Sequence, residues 1–304
     1  MLHTHNTFKN FIQTIFLAIK WIIISILLMS AFMYSLLFAT DHFENPITLC
    51  VLYIIIPILV LFVYQYYLKI CHIPSLFNPK YVQSTKLGWS IKFSLITVSY
   101  FSTSILSRLV YTGESENQKI LKEQAVDFPS SFLGTSFNAP IIEEVIFRGM
   151  LFIIILTATS FLFNETNRKS MFLRMAIYVT LSTIIFGFLH VVVSGDYQHV
   201  FPYLVPGFIY SIVFALTRDI KITILLHILN NSSVHLYEYG YEQINVVINI
   251  LLVLTALIGL LVYLKSDDFK QLRHKWEHHQ YIKLKRKFNK VETCLLYTSP
   301  SPRD

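Results

Sequence analysis

The chain has 304 residues, 54% of them hydrophobic and only 14% charged, with a formal net charge of +7. Soluble domains carry about a quarter charged residues. This balance, with a mean hydropathy of +0.54, excludes a water-soluble globular enzyme and reads as an all-α polytopic membrane helix bundle.

A helix that crosses a hydrocarbon core of about 30 Å needs about 20 apolar residues. In chain order such runs fall at about 21–39, 47–68, 89–111, 139–161, 173–193, 201–216, 222–236 and 244–264, so about eight transmembrane helices are expected. The third carries Lys92 and Arg108, and the sixth and seventh are short. The first run reads as an anchor rather than a cleaved signal, because it spans the membrane by itself and Phe38-Ala-Thr-Asp-His42 lacks a small-x-small cleavage pattern.

Lys and Arg are distributed unevenly between the connections. With a cytoplasmic N-terminus, the inside segments hold Lys9, Lys20, Lys69, Lys80, Lys86, Arg168, Lys169, Arg174, Arg218, Lys221 and the basic run from Lys265 to Lys290. The outside segments hold Lys119 and Lys122. The positive-inside rule then puts a multi-pass protein in the cell membrane with both termini cytoplasmic. The tail, with Trp276 and Tyr281, is expected to lie on anionic lipid headgroups. It has no groove-reading helix or base-stacking platform, so nucleic acid is not an expected partner.

The chain divides into residues 1–127 with three spans, a core at 128–240, the last span at 241–264, the basic tail at 265–293, and a final stretch at 294–304. That last stretch, Cys-Leu-Leu-Tyr-Thr-Ser-Pro-Ser-Pro-Arg-Asp, resembles the translation of a sequencing adapter and is set apart from the fold. Of the three cysteines, Cys294 lies there. Cys50 and Cys71 fall near opposite membrane faces, too far apart for the ~5.5 Å between Cα atoms that a disulfide needs. No Walker loop, GxGxxG turn or HExxH helix is present.

The fourth run contains Glu143, Glu144 and Arg148 inside Ala139-Pro-Ile-Ile-Glu-Glu-Val-Ile-Phe-Arg-Gly-Met. A charge at bilayer depth costs about 2.5 to 3.5 kcal/mol, so three are tolerated only within a bundle and mark a functional site. Glu144 and Arg148, four apart, share a helix face in the favourable order, acid before base. Glu143 lies about 100° around the helix and is the freer group. Pro140 is expected to open this helix, which would put both acids in its first turn, at the positive end of the dipole.

Two further polar sets follow. Phe186-Gly-Phe-Leu-His190 ends the fifth run, with ring and imidazole on one face, and His227-Ile-Leu-Asn-Asn231 occupies the seventh. By the topology all three sets share one depth, in the outer half of the membrane. His227 and Asn231 share a face and can both donate hydrogen bonds to a developing oxyanion. His199 and His235 read as interface residues, and Asn230 as packing away from the Asn231 face. The other histidines lie mostly at the termini.

Glu-Glu-x-x-x-Arg, Phe-x-x-x-His and His-x-x-x-Asn, in this order on helices at bilayer depth, resemble the CPBP or Abi family of intramembrane proteases. That family includes CAAX prenyl endopeptidases, bacteriocin-processing and immunity proteins, and lysostaphin-resistance-like proteins. The resemblance covers about residues 128–237. It implies Glu143 as the base that activates water, supported by Glu144 and Arg148. It also implies His190 as a catalytic partner and His227 with Asn231 as oxyanion donors. The expected function is an intramembrane endopeptidase cleaving a membrane-associated peptide or protein, of CAAX, bacteriocin or signal-peptide type. The glutamate-base form of the site needs no cofactor. A zinc ion on Glu143, His190 and His227 is the alternative form of the site, since two histidines and an acid make a catalytic zinc set. Two other classes stand beside this reading. One is a non-catalytic immunity or regulatory partner on the same scaffold. The other is a proton-coupled transporter, against which stands the lack of repeated halves.

Overall fold

The computed structural model describes residues 2–70, 87–110, 113–123, 125, 127–160, 168–267, 269–271 and 273–282. Residues 71–86, including Cys71, and 283–304, including the final stretch, lie outside it. Among the described residues the fold is helical without strands. In chain order it has α1 (Leu2–His42), α2 (Pro46–Ile70), α3 (Trp89–Leu109) and the short α4 (Glu116–Glu123). α5 then runs through 128–160, followed by α6 (Arg168–Leu189), α7 (Phe201–Thr217), α8 (Ile220–Glu238) and α9 (Glu242–Lys265).

The eight long helices fall on the eight apolar runs. By length and composition five segments among the described residues can cross a membrane: Ile15–Ala39, Pro46–Ile70, Lys169–Leu189, Tyr197–Thr217 and Glu242–Lys265. The other three, α3, α5 and α8, are the polar ones. Lys92 and Thr97 of α3, Glu144 and Arg148 of α5, and His227 of α8 turn toward neighbouring helices, as intramembrane polar groups do.

α5 is the axis, and α1, α2, α6, α7 and α8 all pack against it. Between Pro140 and Thr157 every side chain is buried except Glu143 and Ile154, which are partly so. A helix apolar all round needs such a surround. The main core gathers Ile142, Ile146, Met150, Phe152 and Leu156 of α5 with Tyr64 and Tyr67 of α2, Tyr178 and Phe186 of α6, and Phe214 of α7. α2 comes close because residue 149 is glycine: a Cβ there would stand 2.6 Å from the Tyr64 hydroxyl. α6 lies along α7, and α3 packs against α7, α8 and α9. Lys92 of α3 clips onto Asp219, the N-cap of α8, at 2.7 Å. α9 carries no buried residue and closes the rim.

The fourth run differs from its expected start. α5 begins at Phe128, not at Ala139: Asp127 accepts the Ser130 N–H as N-cap, and Pro129 sits in the first turn, where its missing donor is not needed. The chain passes as a helix through Phe128–Leu133, a π-helical turn Gly134–Asn138, Ala139–Glu144, a second π-helical turn Val145–Met150, and Leu151–Ser160. Pro140 therefore lies inside the helix. The acids sit near its middle, so the expected dipole assistance at a helix start does not apply to them.

Candidate active site

Glu144 and Arg148 are fully buried and joined at 3.0 Å. Arg148 donates its second Nη to Gly207 O of α7 at 3.1 Å. Its guanidinium also lies over the Phe186 and Tyr210 rings, 4.5 and 5.3 Å from their centroids. Gly207 makes that approach possible, since a Cβ would meet Phe186 at 3.1 Å and Thr183 O at 3.3 Å. Glu144 Oε1 also accepts from His227 Nδ1 at 2.9 Å. The second carboxylate thus fixes two neighbours on two helices.

Glu143 points elsewhere. Its Oε2 is buried without a hydrogen-bond partner. It stands 3.9 Å from Nε2 of His190 and 3.9 Å from Nε2 of His227. His190 is held by its own carbonyl four residues back, Nδ1 to Phe186 O at 2.8 Å. It is also held between two rings, Phe186 and Tyr203, each with its centroid 4.6 Å away. Phe186 O and the Arg148-paired carboxylate can only accept, so in each neutral imidazole Nδ1 carries the proton and Nε2 is a bare lone pair. Three acceptors, one carboxylate oxygen and two imidazole nitrogens, therefore face one another.

Five of the six expected site residues, Glu143, Glu144, Arg148, His190 and His227, form this contiguous cluster. Asn231 differs from expectation. Its amide Nδ2 donates to Thr135 O, in the first π-helical turn of α5, at 2.9 Å. At least one of its two N–H groups is thus directed at backbone and not at open space. Asn230 turns away and donates to Leu226 O at 3.0 Å. His235 is buried among Phe128, Phe132 and Tyr239. His199 is buried and bonded to Asp196 at 2.5 Å. For the zinc alternative, no group of three or more His, Cys, Asp or Glu side chains among the described residues is arranged to hold a metal ion. The 3.9 Å separations are wider than the edge of about 3.4 Å that bonds of about 2.0 to 2.1 Å give a tetrahedral zinc site.

α7, which carries no motif in the sequence, supplies the Gly207 carbonyl, the Tyr210 ring 4.9 Å from that of His227, and Tyr203. The one available signal was Gly207-x-x-x-Ser211, a small-x-x-x-small pair of the kind that lets membrane helices approach. Ser211 indeed donates to Ser182 of α6 at 2.9 Å.

Residues 115–118 bond to the helices around the cluster. Tyr203 OH bonds Ser115 at 2.6 Å and accepts from Asn117 at 3.3 Å. Glu116 N–H donates to Asp196 at 2.9 Å, and Gln118 to Glu238 at 2.7 Å. The Glu116 amide, with the His199 ring beside it, holds the Asp196 carboxyl below its usual pKa. Hydrogen-bonded carboxylates raise Lys119 (Glu116) and Lys122 (Glu114) above theirs.

Residues 125–233 match the family described as Type II CAAX prenyl endopeptidase Rce1-like. The chain is 26% identical over 159 residues to the putative membrane peptidase YdiL of Bacillus subtilis, covering 50% of this chain and 58% of that protein. It is 27% identical over 157 residues to the membrane-embedded CAAX protease MroQ of Staphylococcus aureus, with the same shares. An uncharacterized protein of Mycoplasma capricolum matches at 27% over 164 residues, 49% of this chain and 44% of that one. The chain thus spans little more than half the length of the relatives YdiL and MroQ. No solved structure matches it. Residues 125–233, which comprise α5 to most of α8 and hold the whole cluster, are thus similar to the Rce1-like CAAX prenyl endopeptidases.

Proposed function

We propose that this protein is an intramembrane endopeptidase in which Glu143 activates water against the peptide bond of a membrane-associated substrate. The observation that carries the reading is the buried, unpartnered Glu143 Oε2 at 3.9 Å from two imidazole Nε2 atoms. Three converging acceptors suit one water, which has two hydrogens to give. The spacing is close to the roughly 4 Å spanned by two hydrogen bonds meeting at a right angle.

In this reading the water oxygen adds to the scissile carbonyl carbon while its proton passes to Glu143. The C–N bond then breaks, and Glu143 returns the proton to the leaving amine. Glu144 holds His227 through Nδ1, and Arg148 pairs with that carboxylate. With its Nδ1–H committed to Glu144, His227 presents Nε2 to the attacking water and orients it. Zinc coordination is not used in any step.

The charge asymmetry supports cytoplasmic termini and a site opening on the opposite face, with the basic tail on anionic headgroups. The similarity of residues 125–233 to CAAX prenyl endopeptidases supports peptide cleavage over a binding-only scaffold or a transporter.

The test is Glu143→Gln, which keeps the shape and removes the base. Cleavage of an internally quenched, farnesylated CAAX peptide by purified protein in detergent is expected to vanish. Full activity in this variant ends the reading. Stoichiometric metal in the pure protein, with loss of activity on chelation, would replace the metal-free form by the zinc form.

A further inference from the structure

Thr135 sits where α5 leaves the ordinary helical register. The N–H of Ala139 reaches back five residues to Gly134 O. In that register the N–H of residue 140 would reach Thr135 O, but residue 140 is proline and has none. A buried helix cannot leave such a carbonyl unpaired without cost. Thr135 O accepts instead from Asn231 Nδ2 at 2.9 Å. One turn further along α8, His235 Nδ1 faces the Thr135 hydroxyl at 3.4 Å, while that hydroxyl donates to Ser131 O at 2.9 Å. α8 therefore meets α5 through residues 227, 231 and 235, touching Glu144, the Thr135 carbonyl and the Thr135 hydroxyl in turn.

We infer that Asn231 is a positioning residue whose amide replaces the donor that Pro140 lacks. It holds Gly134–Asn138 in the π-helical register and so sets the rotation at which Glu143 faces His190 and His227. A slip of one residue in that register turns everything beyond it by about 100°, enough to take Glu143 away from both imidazoles. The hydrogen bond stands by itself. Its effect on cleavage rests on the protease reading above.

Four proteins decide the matter: wild type, Asn231→Ala, Pro140→Ala, and the double variant. Pro140→Ala returns an N–H to the position opposite Thr135 O, so the amide of Asn231 becomes dispensable. Asn231→Ala alone is expected to lower the melting temperature and to cut kcat on the quenched farnesylated peptide by roughly tenfold, the effect of one stranded buried carbonyl, with KM unchanged. Pro140→Ala alone is expected to cleave like wild type. The double variant is expected to recover both melting temperature and kcat.

Recovery of melting without recovery of kcat would overturn the inference, since it would place Asn231 at the reacting atoms. Recovery of neither would show that Asn231 does not serve Thr135 at all. Should Asn231→Ala fail to accumulate as folded protein, its rescue by Pro140→Ala counts for the inference and its non-rescue against. Should wild type itself leave the peptide uncut, the protease reading fails for that substrate, and the melting cycle still decides whether the amide holds the carbonyl.

Discussion

Glu143 and Glu144 are neighbours in the chain with opposite circumstances, and a single step of about 100° around a helix accounts for it. Glu144 is bonded to Arg148 and His227, at 3.0 and 2.9 Å, whereas Glu143 Oε2 has no hydrogen-bond partner. Stability and chemistry should therefore separate. Arg148→Ala or Glu144→Gln breaks a buried pair and strands the remaining partner, a loss of about 3 to 5 kcal/mol, read as lower expression and melting temperature. Glu143→Gln keeps the shape and disturbs no hydrogen bond of Oε2, which has none, so its melting temperature should stay level or rise. A large fall would assign Glu143 to the fold. The pairing was legible in the sequence, because i,i+4 spacing is enough to join Glu144 to Arg148 and leave its neighbour over. Tyr203 was not legible, since its ring reaches His190 only through the packing of α7 beside α6. Tyr203→Phe keeps the stacked ring and should retain cleavage. Tyr203→Leu should lower kcat by roughly tenfold, a misplaced catalytic group being the cause. Equal activity in both would show that the stacking does not matter.

At the scale of elements, α5 was the helix read least well. Asp127, Phe128 and Pro129 formed an N-cap signature, but the polar residues of the following turn hid it and Pro140 looked like the better start. What carries the helix through Pro140 is a π-helical turn closed by a residue 96 positions away, and no local pattern contains that. α4 is short and polar, and it stays in place through its hydrogen bonds to Asp196, Tyr203 and Glu238. Because the folded Asp196 carboxyl titrates below its usual range, its contribution is complete above the ordinary carboxylate pKa of about 4. It is lost as pH falls through the lower folded value. Hydrogen exchange of residues 113–123 should therefore quicken under acid conditions while the amides of α5 stay protected. Asp196→Asn should show the fast exchange already at neutral pH. Unchanged exchange in that variant would mean that other contacts hold α4.

For the whole molecule, hydropathy located the eight long helices to within a few residues at most ends, and three motifs indicated which of them meet. The motifs joined α5 to α6 and α8, but its contacts with α1, α2 and α7 could not be read, because away from its three charges the helix is apolar on every side and α7 offered only Gly207-x-x-x-Ser211. Orientation is the remaining global property. Reporter fusions at Lys80 and Glu123 should label opposite faces, with the Lys80 side cytoplasmic. Labelling on one face would remove the argument from basic residues. The separation of 83 residues between Glu144 and His227 also has a meaning in time. At about 5 to 20 residues per second, the ribosome adds Glu144 roughly 4 to 17 seconds before the imidazole that will bond it exists. Through that interval the half-made chain holds a membrane helix whose carboxylate has Arg148 alone for company, so any stall or truncation before α8 would leave a product open to recognition by quality-control proteases.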